Sequence, residues 1–175
     1  LGQTYQKLKM YPQAIFSYKQ ATRIEPNFTD AYNQLGTLYT FQKNYEMAIK
    51  MFQGAVQSNQ KFQSGYLNLG MIYEILGRHP EAIEQYNNIL ALNPDHQKAL
   101  LNLGWVMMDE NRFMEAIPPL KHAIDLNLEN TDAHYTLGLV FGRLKRYQDA
   151  QDQYQKVLQL DPNHTGAYEK MALTE

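Results

Sequence analysis

The side chains in this sequence that could do chemistry are five histidines and eighteen acidic residues, and their spacing decides whether they do. Two histidines one helical turn apart with a carboxylate between them, as in H-E-x-x-H, would hold zinc and activate water. His79, His96, His122, His134 and His164 contain no such pair. No Gly-rich stretch follows a strand-like run to cradle phosphate, and no serine has the Gly-x-Ser-x-Gly setting of a hydrolase nucleophile. No pair of carboxylates is singled out by spacing. The absence of cysteine excludes disulfides and Cys-based zinc sites, and leaves the redox compartment unread. The formal net charge is −2, with no basic run to follow a nucleic-acid backbone. These residues therefore predict no catalytic activity, no metal and no cofactor.

What is regular in the sequence is the placement of its apolar and small residues. Leu35-Gly36 with Tyr39 returns as Leu69-Gly70 with Tyr73, Leu103-Gly104 with Met107, and Leu137-Gly138 with Phe141; each step is 34 residues. Leu1-Gly2 with Tyr5 stands one step earlier, and Met171-Ala172 is a worn copy one step later. Three more series keep the step: Ala14, Ala48, Ala82, Ala116 and Ala150; Tyr18, Phe52, Tyr86, Leu120 and Tyr154; and Ala21, Ala55, Ile89, Ala123 and Val157. Pro26, Pro94 and Pro162 punctuate three of the repeats, whereas Gln60 and Leu128 stand in the other two. A fixed period of this length is the mark of an array in which stacked neighbours share a continuous core.

Within a repeat, Tyr32, Leu35, Gly36 and Tyr39 share one helical face, and Ala14, Tyr18 and Ala21 share another. The pattern predicts eleven helices or helix fragments and no strand, with turns near 9–11, 43–45, 77–79, 111–113 and 145–147. Glycine inside a helix costs about 1 kcal/mol against alanine, so Gly36 and Gly70 are expected where the partner helix approaches closely, beside Ala48 in the first case. Thr29 or Asp30, and Ser64, are the expected helix caps. Pro12 and Pro80 suit the first turn of a helix. Pro118-Pro119 falls inside the helix expected over 113–126, predicting a kink or a late start near Ala116.

These columns resemble the tetratricopeptide repeat family, whose unit is a 34-residue pair of antiparallel helices. The resemblance implies an all-α, right-handed α-solenoid in one domain over 1–175. It comprises a partial repeat 1–28, repeats 29–62, 63–96, 97–130 and 131–164, and a closing helix 165–175 carrying Tyr168, Met171, Ala172 and Glu175. Leu1 falls partway along a helix, so Tyr18 and Ala21 are expected to be incompletely covered. Either a preceding segment or another molecule would then meet that end.

In this family the first helices line a concave surface that holds peptides. A stripe beside the packing stripe holds Asn33, Thr37, Thr40 and Phe41, then Leu67, Met71, Glu74 and Ile75. It continues with Leu101, Trp105, Met108 and Asp109, and with Tyr135, Leu139, Gly142 and Arg143. A carboxylate clamp found in some members matches only at Asn68 and Lys98 among Asn33, Thr37, Asn68, Lys98 and Asn102. An asparagine ladder, as in the repeat arm of the O-GlcNAc transferases, is partial: Gln34, Asn68, Asn102, Thr136 and Lys170.

The expected groove is therefore Asn33, Thr37, Leu67, Asn68, Met71, Lys98, Leu101, Asn102, Trp105, Met108, Tyr135 and Leu139, receiving an apolar or amphipathic protein segment. Packing between neighbouring first helices is the competing role for Leu67, Leu101 and Tyr135. A self-assembling scaffold, whose groove or N-terminal end receives another copy, is the alternative function. The non-catalytic arm of a larger protein is a third. No apolar run reaches the roughly 20 residues of a membrane span. A soluble chain is expected, the cytoplasm being a default that the sequence does not determine.

Overall fold

The structure is a computed structural model that describes residues 1–173. Among these residues there are eleven helices and no strand. The first helices of the repeats are α3 (Thr29–Phe41), α5 (Gln63–Ile75), α7 (Gln97–Asp109) and α9 (Thr131–Arg143). The second helices are α2 (Tyr11–Ile24), α4 (Tyr45–Ser58), α6 (His79–Leu92), α8 (Phe113–Leu126) and α10 (Tyr147–Leu160). Shorter pieces, α1 (Gly2–Lys7) and α11 (Thr165–Ala172), stand at either end. Glu175, expected in the last helix, lies outside the described residues. The helices group into two compact units, Leu1–Gln85 and Tyr86–Glu175, with the division inside α6.

One backbone device makes every turn between first and second helices. Lys9, Lys43, Asn111 and Lys145 have φ of 58 to 59°, and Gly77 has 67° in the same column. The left-handed residue and its successor turn their N–H groups back onto the first helix: Lys145 donates to the Gly142 carbonyl at 3.0 Å and Arg146 to that of Phe141 at 2.9 Å. This satisfies the last carbonyls of the helix. Only glycine adopts that conformation without Cβ strain. Lys145→Gly is accordingly expected to stabilise the chain by about 1 kcal/mol, read as a raised midpoint in urea with an unchanged slope.

The repeated glycines do allow close approach, but the residue that exploits it belongs to the bulky column, not the alanine column. A Cβ on Gly36 would come within 2.5 Å of the Phe52 ring, one on Gly104 within 2.5 Å of Leu120, and one on Gly138 within 2.5 Å of the Tyr154 ring. Those three side chains are buried, as are the alanines of the second helices from Ala14 to Ala150. Burying a side chain of that size contributes about 1.5–3 kcal/mol, which outweighs the roughly 1 kcal/mol that a helical glycine costs.

Of the kink or late start expected at Pro118-Pro119, the late start does not occur. The helix bearing Pro118-Pro119 starts no later than its neighbours: α8 runs the full Phe113–Leu126 with both prolines inside. The missing N–H groups would have bonded the carbonyls of Met114 and Glu115, which lie on exposed residues. Water can satisfy those carbonyls, while Ala116 and Leu120 stay in the core.

The caps also differ from expectation. Thr29 and Ser64 are helical residues, and the positions before α3 and α5 are Phe28 and Phe62, neither of which makes a side-chain cap bond. The Thr29 hydroxyl instead pairs with that of Ser58 at 2.8 Å. One step further along the same column, imidazole does the capping. Nδ1 of His96 accepts from Ala99 N–H, and Nδ1 of His164 from Ala167 N–H, each at 3.1 Å. Asn130 does the same for Ala133 at 3.0 Å. His96→Ala is expected to cost about 1 kcal/mol and His96→Asn to restore most of it, measured by denaturant unfolding.

Tyr18 is not left uncovered. It is buried over Gly2, where a Cβ would meet its ring at 2.8 Å, and its hydroxyl donates to Gln6 at 3.1 Å. Burial raises its pKa. Ala21 is only half-buried and lines a cleft of about 780 Å3 against α1 and α2.

Candidate binding surface on the first helices

In the N-terminal unit, α3 supplies Asn33 and Thr37, and α5 supplies Leu67, Asn68 and Met71. The Asn68 amide Nδ2 donates to Asn33 Oδ1 at 3.0 Å, tying two first helices together. Thr37 is exposed, with its hydroxyl donating to the Asn33 carbonyl at 3.0 Å. Leu67 is half-buried. Beside the asparagines lies a notch of about 300 Å3 walled by Thr37, Phe41, Phe52, Asn68, Met71 and Ile75. Phe41 is 68% exposed, Ile75 56% and Met71 37%, a concentration of apolar surface rather than scattered single residues. Phe41 and Ile75 fall in the stripe read from the sequence but outside the groove residues drawn from it. Their period was visible; their exposure was not.

In the C-terminal unit the same columns are used differently. Lys98 is exposed on α7, and Trp105 is 40% exposed. Leu101, Met108, Tyr135 and Leu139 are partly buried and pack against the core around Leu137 and Tyr154. Tyr135 is held between rings, 6.0 Å from Tyr154 and 4.7 Å from His164 by their centroids. Asn102 Nδ2 donates to the Tyr86 hydroxyl at 3.3 Å. The asparagine column then turns structural, for Thr136 is fully buried and donates to the Asp132 carbonyl at 2.7 Å.

Several titratable groups are engaged in structure. His134 is buried, with Nδ1 2.8 Å from Gln153 Oε1 and Nε2 3.2 Å from the Leu128 carbonyl oxygen. His122 Nε2 lies 2.9 Å from an Asp95 carboxylate oxygen on an exposed face. Burial, aided by neighbouring Tyr135, pushes the Tyr154 hydroxyl up to about 12. Hydrogen bonds from Arg78 and Arg112 hold Glu81 and Glu115 below the usual carboxylate range. These pairs recur at the start of the second helices, with Arg146 and Asp149 2.7 Å apart in the next copy. Arg78 and Arg146 also lie over the rings of Tyr73 and Phe141, at 4.7 and 4.4 Å. Among the described residues no group of three or more His, Asp or Glu side chains could hold a metal ion. No helix among them is long and apolar enough to cross a membrane.

Family models agree with the repeat. Models described as tetratricopeptide repeat match residues 64–96 and 131–164, and 29–62, and one described as TPR repeat matches 2–42. No curated protein matches the chain. Among solved structures, YrrB, described as a TPR protein with an unusual peptide-binding site, is 19% identical over 96% of this chain and 87% of its own, with a TM-score of 0.85. A MamA protein is 26% identical, covering 83% of this chain and 80% of its own at a TM-score of 0.80. A tetratricopeptide repeat protein from Parabacteroides merdae is 22% identical over 99% of this chain and 69% of its own, at a TM-score of 0.88.

Proposed function

Because the chain belongs to the tetratricopeptide repeat family, whose repeats form a non-catalytic protein-interaction fold, we propose that its first helices hold a peptide or protein segment. The observation that carries this reading is Trp105. It is the sole tryptophan, and it stands 40% exposed on α7 while the leucine and valine on either side of Gly104 and Trp105 are buried. A large amphipathic ring kept at the surface is costly in apolar exposure and is the residue most enriched at binding hot spots. Exposed Lys98 on the same helix favours an acidic residue in the bound segment. The peptide-binding description of YrrB supports a peptide as the ligand class.

Trp105 is also the probe. Peptides selected from a random display library on the whole chain are expected to shift its fluorescence to the blue and to protect it from a soluble quencher. Light scattering accompanies the titration. A blue shift that grows with protein concentration and mass, without peptide, would support self-assembly in place of peptide capture. Selected peptides that bind while leaving Trp105 unchanged would remove it from the surface.

A further inference from the structure

Apart from the surface around Trp105, we propose that the cleft of about 780 Å3 in the N-terminal unit docks a short helical segment of a second protein. The segment seats one large apolar side chain over Gln20 and Ala21 and one basic side chain beside Asp30. The repeat itself shows what is open there. In the column of Ala21, the later members Ala55, Ile89, Ala123 and Val157 are all fully buried. Ala21 is half-buried. α1 lies over Tyr18 through Gly2, and Ala21, one turn further along α2, lines the cleft.

The next repeat shows what covers such a place. On α4 the same stretch is met by the first turns of α3. The Tyr32 ring lies over Gly54, which holds the position of Gln20, and a Cβ there would meet the ring at 2.7 Å. The Thr29 hydroxyl pairs with that of Ser58 just beyond, at 2.8 Å. A segment that repeats this contact on α2 is helical and brings an aromatic or leucine side chain to Gln20 and Ala21. A helix also spends its N–H and C=O groups on its own i to i−4 bonds. It therefore needs no main-chain partner from a wall that holds Phe16, Phe28 and Ala21.

The chemistry of the segment follows from the wall. Phe16 is 65% exposed, in a column that continues as Lys50, Glu84, Pro118 and Asp152. The periodic packing does not call for an aromatic ring at that position, and here it stands in the cleft. Phe28 adds a second ring, 38% exposed. Asp30, exposed on the first turn of α3, is the one charged side chain in the wall among the described residues. A lysine or arginine beside it gains a partner for its charge while its stem packs on the rings. A carboxylate there would meet like charge. Exposed Lys98, at the surface proposed above, favours an acidic residue instead, so the two surfaces select segments of opposite charge.

The test pans a random-peptide display library on the whole chain. Selected peptides, isotope-labelled, are then followed by NMR beside the alanine methyl signals of the protein. Expected are peptides that share a large apolar residue and a lysine or arginine, move the Ala21 methyl and the Phe16 ring signals, and take helical Cα shifts when bound. Phe16→Gln is expected to weaken their binding about tenfold or more. Because that ring is exposed, circular dichroism should show the variant folded. Asp30→Asn is expected to weaken binding about two- to fivefold. Changing the peptide's basic residue to glutamine should cost the same in the native chain and nothing further in Asp30→Asn. Bound peptides with extended Cα shifts, or with affinities that ignore both variants, would overturn the proposal. So would an Ala21 shift that grows with protein concentration and mass without peptide, which would give the cleft to a second copy. Binders that shift only Trp105 would overturn it and leave the reading of the first helices standing. A library that yields no binder to the chain would overturn both.

Discussion

Gly138→Leu is expected to lower the stability of the chain by about 3 kcal/mol or more, the usual upper range for overpacking a filled core. The Tyr154 ring already occupies the space that a first side-chain carbon would need, at 2.5 Å. That ring cannot simply swing away, because it is buried and Tyr135 packs 6.0 Å from it. The helix pair must separate, exposing the alanines that let it close. For a chain of this length each kcal/mol moves the melting temperature by roughly 2–4 °C. Gly142, one turn further along α9, provides the control. A Cβ there meets only the Tyr154 hydroxyl, at 3.8 Å, an ordinary contact. Gly142→Ala should therefore raise stability, by up to about 1 kcal/mol of recovered helix propensity. Adding a side chain to a glycine has opposite signs at these two positions of one helix because only one of the two sites is filled. An unchanged melting temperature for Gly138→Leu would show that the contact is not close.

Trp105→Ala is expected to weaken binding of a selected peptide by about 2 kcal/mol or more, close to thirtyfold in Kd. It should do so with little loss of stability, since the indole is 40% exposed and its flanking core residues, Leu103 and Val106, remain. Titration calorimetry on the variant and denaturant unfolding of the free protein separate the two effects. A lowered melting temperature with unchanged peptide affinity would make the indole a packing residue. The matching change at Tyr135 should behave in the opposite way. That ring is already held between Tyr154 and His164, so its removal should cost stability before it costs affinity.

Much of the fold was written in spacing. Residues recurring every 34 positions predict the eleven helices found among the described residues, and the turns fall within about a residue of where the apolar stripes stop. This works because a helix pair buries its stripes only when both faces keep phase with the neighbouring pair. Single-residue chemistry was harder to read. His96 and His164 share a column with Asn130, a signal that their place caps a helix, but Phe28 and Phe62 occupy it elsewhere and obscure it. The late start expected at the proline pair does not occur, because the cost of a missing N–H depends on whether water reaches the orphaned carbonyls, and Met114 and Glu115 are exposed.

The candidate surface divides along the same line. Sequence by itself determined which residues lie on the first helices and that their stripe is rich in apolar side chains, because position on a helical face follows from counting. Tertiary structure alone decided that Phe41, Met71 and Ile75 stay open while Leu101, Met108, Tyr135 and Leu139 lean into the core. It also decided that Asn68 meets Asn33, whereas Asn102 meets Tyr86. All of these residues obey one period. Their exposure depends on the bulk of side chains brought alongside from other helices, and a repeat fixes the spacing of positions without fixing the size of what fills them.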